Sequence, residues 1–177
     1  YRTELLMADT GFKTTGAVVS TGTWSNFTKT RINTADNSRA TTTAGTFDAA
    51  TINNFSFGLS SGVTIDGIEV NTEFSNALGT ATATLQISLS WNNGTNYTAT
   101  KSDTVTSTTD KNSTLGGATD TWGRTWTDTE FADGTFLVKV EGKTTAGGTC
   151  RLDFLQIKVY YTTASGTTGA AFLLRMI

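Results

Sequence analysis

Residues 151–162, RLDFLQIKVYYT, constrain the fold more than any other part of the chain. Every second residue in the middle of this stretch is apolar or aromatic, namely Leu155, Ile157, Val159 and Tyr161. A period of two is typical of a β-strand with one buried face and one solvated face. Because no Gly or Pro interrupts the stretch, it predicts a central strand of an antiparallel sandwich.

The same alternation recurs along the chain and predicts about eight main strands separated by turns. The most regular example is 82–91, in which Leu85, Ile87 and Leu89 share one face. Asn93-Gly94 follows it as a strong hairpin signal, which predicts a return strand at 97–102. Other strands are predicted at 16–24, 54–59, 65–75 and 134–143, polar crossings at 25–46 and 103–121, and one helical turn at 127–131.

The composition agrees with an all-β fold. The chain of 177 residues is long enough for one hydrophobic core, and its 10% of aromatic residues can fill that core. Only 16% of the residues are charged, so Thr, Ser, Asn and Gly provide most of the polar surface. We expect an N-terminal arm at 1–15, an antiparallel β-sandwich domain at 16–162 and a C-terminal arm at 163–177.

Both predicted arms carry apolar side chains that would be unfavourable if they stayed exposed to water. Each arm is expected to pack either on its own sandwich or on a neighbouring subunit. The candidate assembly residues are Leu5, Leu6 and Met7 in the first arm and Phe172, Leu173, Leu174 and Ile177 in the second.

The charge and the rare residue types argue against several classes of function. The net charge of −2, with no basic cluster, gives little basis for binding nucleic acid or an anionic membrane. The chain has no His, which excludes a Ser-His-Asp triad and imidazole ligands for zinc. The single cysteine, Cys150, cannot form an internal disulfide.

No cofactor, catalytic residue or metal site is predicted. Asp36, Asp103 and Asp110 offer hard oxygen ligands in loops. Their spacing does not match a calcium-binding loop with its terminal Glu, so no specific calcium site is expected.

Asp153 is the most unusual ionisable residue, because the alternation directs it toward the core together with Leu155 and Ile157. A buried carboxylate needs a partner. Arg31 and Arg124 are the candidates for this partner. We expect Asp153 to be a buried structural carboxylate that fixes strand register or a loop.

Aromatic residues provide the remaining candidates for binding. Large aromatics are usually buried, so Trp91 and Trp122 are expected in the core. Tyr97, Trp126 and Tyr160 are the candidates for the surface, where they would contact a ligand, such as a glycan, or another subunit.

Segments 60–74, 85–91, 115–144 and 152–162 together resemble a jelly-roll-like β-sandwich domain that recurs in bacteriophage virion proteins and bacterial surface proteins. The resemblance extends over residues 50–162 and implies a non-enzymatic structural or adhesive role. Family members usually have a Pro in the turn before the Ile65 strand, where this chain has SSGVT. The most specific positions are Gly62, Ile65, Gly67, Ile68, Leu115, Gly116, Gly117, Trp122, Gly123, Trp126, Leu152, Asp153 and Tyr161.

Two functions follow from the residues and the resemblance. The first is a structural protein of a phage-like particle, either a head decoration or a tail-associated subunit. It would be located in the virion and assemble through its arms as a homo-oligomer or with capsid or tail proteins. The alternative is a carbohydrate-binding or host-adhesion module, located outside the cell or on its surface.

Overall fold

The computed structural model describes residues 5–145 and 147–164. This part of the chain forms ten strands, one short α-helix, α1 (Lys29–Ile32), and one 3-10 helix, η1 (Asp128–Phe131). The strands are β1 (Leu5–Asp9), β2 (Ala17–Ser20), β3 (Ala40–Thr42), β4 (Asp48–Asn53), β5 (Thr64–Asn76), β6 (Ala83–Ser90), β7 (Lys101–Val105), β8 (Lys111–Gly117), β9 (Leu137–Thr144) and β10 (Cys150–Ala164).

The strands form two antiparallel sheets. Sheet A has the order β1-β10-β5-β8, and β3 pairs with the beginning of β10. Sheet B has the order β2-β4-β9-β6-β7. Every connection between consecutive strands except β6 to β7 passes from one sheet to the other, which gives the chain a jelly-roll-like course. The structure therefore confirms the predicted antiparallel β-sandwich.

β10 is a central strand of sheet A, as the alternation predicts. It pairs with β5 along most of its length, and β1 and β3 share its other side. Leu155, Ile157 and Val159 are at most 1% exposed. A β-bulge between Leu152 and Phe154 reverses the alternation, so that Leu152 is buried as well.

The predicted strand 54–59 is wrong, because β4 ends at Asn53. Asn54, Ser56 and Gly58 all have positive φ angles of 51–67°, which do not fit a strand. Phe55 and Phe57 are nevertheless buried, and their rings stack 5.5 Å apart. The alternation of Phe side chains thus reports burial correctly, but the backbone under it is not extended.

Other boundaries also differ from the prediction. The return strand after β6 is β7, which begins at Lys101 rather than at residue 97. The predicted crossing 103–121 contains β8, and the predicted crossing 25–46 contains α1 and β3. Asn93 and Gly94 both have positive φ, as an Asn-Gly turn requires. The predicted helical turn is observed as η1, and Thr127 and Glu130 form a capping box at its N-terminus.

The arms are described only in part. Leu5–Asp9 lies in sheet A as β1, where Leu6 is 65% and Met7 57% exposed. The C-terminal candidates lie outside the described residues, namely Phe172, Leu173, Leu174 and Ile177. The division into two arms and one domain stays a prediction.

Cys150 lies at the beginning of β10 and is fully buried. Burial raises the pKa of its thiol to about 12. The reactive thiolate is therefore scarce at neutral pH, and Cys150 acts as a small core residue. Within the described part of the chain, no helix has the length and apolar character needed to cross a bilayer.

Candidate functional site

The outer face of sheet A carries an aromatic and polar surface patch. β10 directs Gln156, Lys158 and Tyr160 away from the core, because they alternate with its buried residues. The register places Lys158 opposite Glu69 and Gln156 opposite Asn71 of β5. We call these five residues, together with Phe12, the sheet A patch.

Lys158 lies between the two aromatic rings of the patch. Its Nζ is 4.3 Å from the ring centroid of Phe12 and 4.8 Å from that of Tyr160. The Tyr160 hydroxyl donates a hydrogen bond of 2.6 Å to Glu69 Oε2, and this bond is the main cause that raises the pKa of Tyr160. The hydrogen bond restrains the Tyr160 ring, and Lys158 contacts both rings.

Phe12 belongs to the patch because the chain after β1 continues alongside β10. Backbone hydrogen bonds join Lys13 N to Ile157 O at 2.8 Å and Ile157 N to Lys13 O at 2.9 Å. Phe12 remains 38% exposed. One ring of the patch therefore faces solvent while its backbone is held by the central strand.

The centre of the patch is polar. Asn71 is half-buried between Gln156 of β10 and Thr114 of β8 in the register of the sheet. Its Oδ1 is buried and has no hydrogen-bond partner among the described residues. Buried acceptors are usually satisfied by a protein group or an ordered water.

Tyr97 lies on the opposite side of the molecule. Its ring centroid is 4.7 Å from Lys139 Nζ, and Lys139 projects from β9 on the outer face of sheet B. Burial, followed by the nearby Glu141, raises the pKa of Tyr97. Tyr97 and Tyr160 therefore occupy different faces of the sandwich and cannot contact the same small ligand.

Trp126 is only 4% exposed, which corrects the expectation of a surface position. Its indole N–H donates to Thr121 O at 2.8 Å, and its ring packs 5.2 Å from Phe131 and 5.7 Å from Phe136. The neighbouring Arg124 guanidinium covers it at 4.3 Å. Trp126 closes one end of the core, because the capped turn η1 folds the chain back over it.

Trp122 is buried, as expected, whereas Trp91 is only partly buried at the edge of the core. Arg124 lies between Trp91, at 4.1 Å, and Trp126. Glu130 accepts hydrogen bonds of 3.1 and 2.8 Å from the same guanidinium. Arg124 thus contacts Trp91, Trp126 and Glu130 at this end of the sandwich.

A cleft of about 530 Å³ lies between residues 56–61 and the segment 128–133. Its two carboxylates are both used in holding loops together. Asp128 accepts a hydrogen bond of 2.8 Å from Gly62 N. Asp133 accepts bonds of 2.9 and 2.7 Å from the backbone and hydroxyl of Ser56. These carboxylates have a structural role in the described conformation.

Asp153 is buried, as predicted, with 1% of its surface exposed. It occupies the β10 bulge, where its Oδ2 accepts a hydrogen bond of 3.0 Å from Asn37 N. Among the described residues, neither Arg31 nor Arg124 is hydrogen-bonded or ion-paired to Asp153, and Arg124 pairs with Glu130. Arg39 lies near it instead, because the hydrogen bond to Asp110 and then the charges of Asp110 and Asp153 raise the pKa of Arg39. The partner prediction is wrong because the crossing 25–46 folds over the bulge and brings Arg39 there.

Two other carboxylates accompany Asp153. One oxygen from each of Glu73, Asp110 and Asp153 lies within 4.8 Å of the others. Burial, followed by the charges of Asp110 and Asp153, raises the pKa of Glu73. Burial alone would also raise the pKa of Asp110, but hydrogen bonds from Arg39 lower it. The sequence gives no sign of this cluster, because its members come from three distant segments.

Comparison with known proteins assigns no family. No family model matches the sequence, and no curated protein matches it. A similar solved structure is the CBM22-1 xylan-binding domain of Xyn10C from Paenibacillus barcinonensis, with 16% sequence identity and a TM-score of 0.44. The match covers 89% of this chain and 95% of that chain. Neither value is high enough to assign a function, so the functional conclusion depends on the residues described above.

Proposed function

We propose that this chain is a non-enzymatic binding domain that holds glycans on the outer face of sheet A. The observation that supports this function most is the pair of rings, Phe12 and Tyr160, on either side of Lys158. Phe12 is 38% exposed, so its ring is accessible to a ligand from solvent.

A sugar ring offers two kinds of surface, apolar C–H faces and a rim of hydroxyl groups. Aromatic rings such as those of Phe12 and Tyr160 pack on the C–H faces, whereas Lys158, Glu69 and Gln156 can donate to or accept from the hydroxyls. The sheet A patch places both kinds of group within a few residues on neighbouring strands. This combination fits a glycan better than it fits a purely apolar ligand.

The patch is also rigid, which lowers the entropy cost of binding. Gln156, Lys158 and Tyr160 project from the central strand β10, and Glu69 and Asn71 project from its neighbour β5. The hydrogen bond from Tyr160 to Glu69 further restricts the ring. Such a domain would meet its ligands outside the cell or on a cell surface.

A glycan array probed with the wild-type protein and with Tyr160→Ala tests the proposal. We expect the wild type to bind at least one class of glycan, and Tyr160→Ala to bind it about tenfold more weakly, since one aromatic contact contributes roughly 1.4 kcal/mol. Tyr97→Ala is the matched control, because Tyr97 lies on the other sheet beside Lys139. Isothermal titration calorimetry with the best array glycan then gives the dissociation constants.

Two outcomes would contradict glycan binding at this patch. One is an array without any bound glycan for a protein that circular dichroism shows to be folded. The other is binding that survives Tyr160→Ala but is lost in Tyr97→Ala, which would move the site to sheet B. A normal melting temperature of each variant is required, so that lost binding is not confused with unfolding.

A second candidate function, a subunit of a phage-like particle, is favoured by the exposed residues of β1. Leu6 and Met7 are 65% and 57% exposed on an edge strand of sheet A. An edge strand can pair with a strand of a neighbour through its free backbone groups. Because Leu6 and Met7 are consecutive, they project from opposite faces of the sheet, and a paired neighbour would have to extend over both faces to cover them.

If β1 mediates assembly, the purified protein is expected to form a defined oligomer in size-exclusion chromatography with light scattering. The double variant Leu6→Ser/Met7→Ser should shift it to monomer, because it removes the exposed apolar side chains without changing the core. Val19→Ser is a suitable control, since Val19 is 52% exposed on β2 of the other sheet. A wild-type protein that stays monomeric at high concentration would count against this function.

A further inference from the structure

Three segments that are far apart in the sequence bring carboxylates together at one end of sheet A. Glu73 comes from β5, Asp110 immediately precedes β8, and Asp153 occupies the bulge of β10. One oxygen of each lies within 4.8 Å of the others. Carboxylates repel one another at such distances, so the arrangement is unfavourable unless cations compensate it.

Asp153 is the member of the cluster that most needs a further partner. It is only 1% exposed, and one of its oxygens accepts the hydrogen bond from Asn37 N. The other, Oδ1, is buried without a hydrogen-bond partner among the described residues. Leaving a charged oxygen buried and unpartnered is costly, whereas a cation or its bound water would satisfy it.

The neighbouring arginines neutralise Asp110 but not the whole cluster. Arg39 is bound to both oxygens of Asp110 and also donates to Asn37 Oδ1, so its guanidinium is largely used there. Arg151 directs its guanidinium to Ser75 Oγ at 3.1 Å and to two backbone carbonyls. Three carboxylates therefore face two guanidinium groups that are both already hydrogen-bonded, and the charge of Arg151 acts on Asp110 without a hydrogen bond to it.

We infer that Glu73, Asp110 and Asp153 bind a single Ca²⁺ ion. Ca²⁺ takes six to eight oxygen ligands at about 2.3–2.6 Å, so ligands on opposite sides of it are about 4.6–5.2 Å apart. Two ligands of one Ca²⁺ ion can therefore lie no more than about 5.2 Å apart. The three oxygens of the cluster, all within 4.8 Å of one another, satisfy that limit. Asp110 can bind Arg39 and the ion together, since each carboxylate oxygen has two lone pairs. Water completes the coordination.

The ion would link three segments that otherwise touch here mainly through backbone pairing. It would join the bulge of β10 to β5 and to the residue before β8. Its effect is therefore expected on stability, and this inference does not depend on the glycan-binding proposal. Mg²⁺ fits less well, because it requires ligands at about 2.0–2.1 Å in near-octahedral geometry.

Calorimetric titration of chelator-treated protein with CaCl₂ tests the site. We expect a dissociation constant of about 0.1–1 mM, the range of extracellular calcium modules. At a Ca²⁺ concentration ten times that constant, the melting temperature should rise by about 3–6 °C. MgCl₂ at equal concentration should raise it by less than half as much.

Glu73→Gln is the main variant, because Glu73 is half-buried at the surface and its loss should leave the fold intact. It is expected to weaken Ca²⁺ binding at least tenfold and to remove the rise in melting temperature. Glu141→Gln is the control, since Glu141 is a half-buried carboxylate on sheet B, paired with Lys139. Asp153→Asn should also lose binding, provided that its circular dichroism spectrum is native.

Three results would overturn the inference. The first is no heat and no change in melting temperature with Ca²⁺, which would mean that Arg39 is a sufficient counter-ion. The second is unchanged binding by Glu73→Gln. The third is equal stabilisation by Mg²⁺ and Ca²⁺, which would exclude a site selective for Ca²⁺.

Discussion

A Gly142→Val variant is expected to lose about 3 kcal/mol or more of its free energy of unfolding, at the upper end of the cost of overpacking a core. Gly142 lies in β9 and faces the core, where the indole of Trp24 occupies the place of a side chain. A Cβ on residue 142 would lie 2.8 Å from Trp24 Cη2, still closer to Cζ2, and 3.1 Å from Thr42 Cγ2. Carbon atoms normally pack about 3.5–4.0 Å apart.

Trp24 has little freedom to move away. Its indole N–H donates to Asp48 O at 2.9 Å, and its ring packs edge-on against Phe27 at 5.4 Å. A branched side chain at residue 142 would have to break these contacts or displace β9. The cost should therefore appear as a fall in melting temperature of about 6–12 °C.

Thermal unfolding followed by circular dichroism measures this effect. Gly45→Ala is the matched control, because no atom lies within 4 Å of a Cβ built there and the backbone is not left-handed. Its melting temperature should stay within about 2 °C of the wild type. If Gly142→Val also melted within that interval, Trp24 would not be packed against β9 as described.

The sequence predicted the sandwich because its central strands are long and alternate clearly. β5, β6, β9 and β10 each bury one face against the opposite sheet, and this requirement leaves a period of two in the sequence. β8 was missed, since it is an edge strand in which only Ser113 and Leu115 are buried. β1 and β3 were missed because they are too short for alternation to be recognised.

The segment 54–59 shows where alternation gives the wrong answer. Phe55 and Phe57 are spaced like residues on one face of a strand. The residues between and beside them have left-handed backbone angles, so the chain advances differently while the two rings still point inward. Side-chain spacing reports which residues are buried, but a backbone with positive φ at non-Gly residues depends on tertiary contacts.

Some residues of the candidate sites could be placed from the sequence and others could not, because only the former follow from alternation along a strand. The outward orientation expected for Tyr160 agrees with its place on the outer face of sheet A, since it follows from the alternation of β10. The burial of Asp153 follows from the same alternation. Its neighbours Glu73 and Asp110 and the burial of Trp126 depend on contacts between distant segments, and a single sequence carries no signal for these.

The aromatic cluster around Trp126 carries the second large expected effect. Phe136 is 1% exposed and lies at the centre of the cluster. Its ring centroid is 5.0–6.0 Å from those of four other rings. These rings are Phe55, Phe57, Trp126 and Phe131. The cluster joins sheet B to the irregular segment after β4 and to η1.

Phe136→Ala is expected to lower the free energy of unfolding by about 3–5 kcal/mol, because it removes buried area and leaves a cavity that surrounding rings fill only in part. The melting temperature should fall by about 6–20 °C. Trp126 would lose one of its ring contacts, so tryptophan fluorescence of the folded variant should shift to longer wavelength. Phe136→Leu should retain more than half of the free energy of unfolding that Phe136→Ala loses, since the leucine side chain fills much of the cavity left by the ring.

Phe47→Ala is the control for this substitution. Phe47 is 37% exposed and contacts Lys143 at the surface, so its loss should cost less than about 1 kcal/mol. If the free energies of unfolding of Phe136→Ala and Phe47→Ala differed by less than about 1 kcal/mol, the aromatic cluster would not be what stabilises this end of the sandwich. The segment 54–59 would then be held mainly by its hydrogen bonds, which join Ser56 to Asp133 and Gly16 N to Asn54 O.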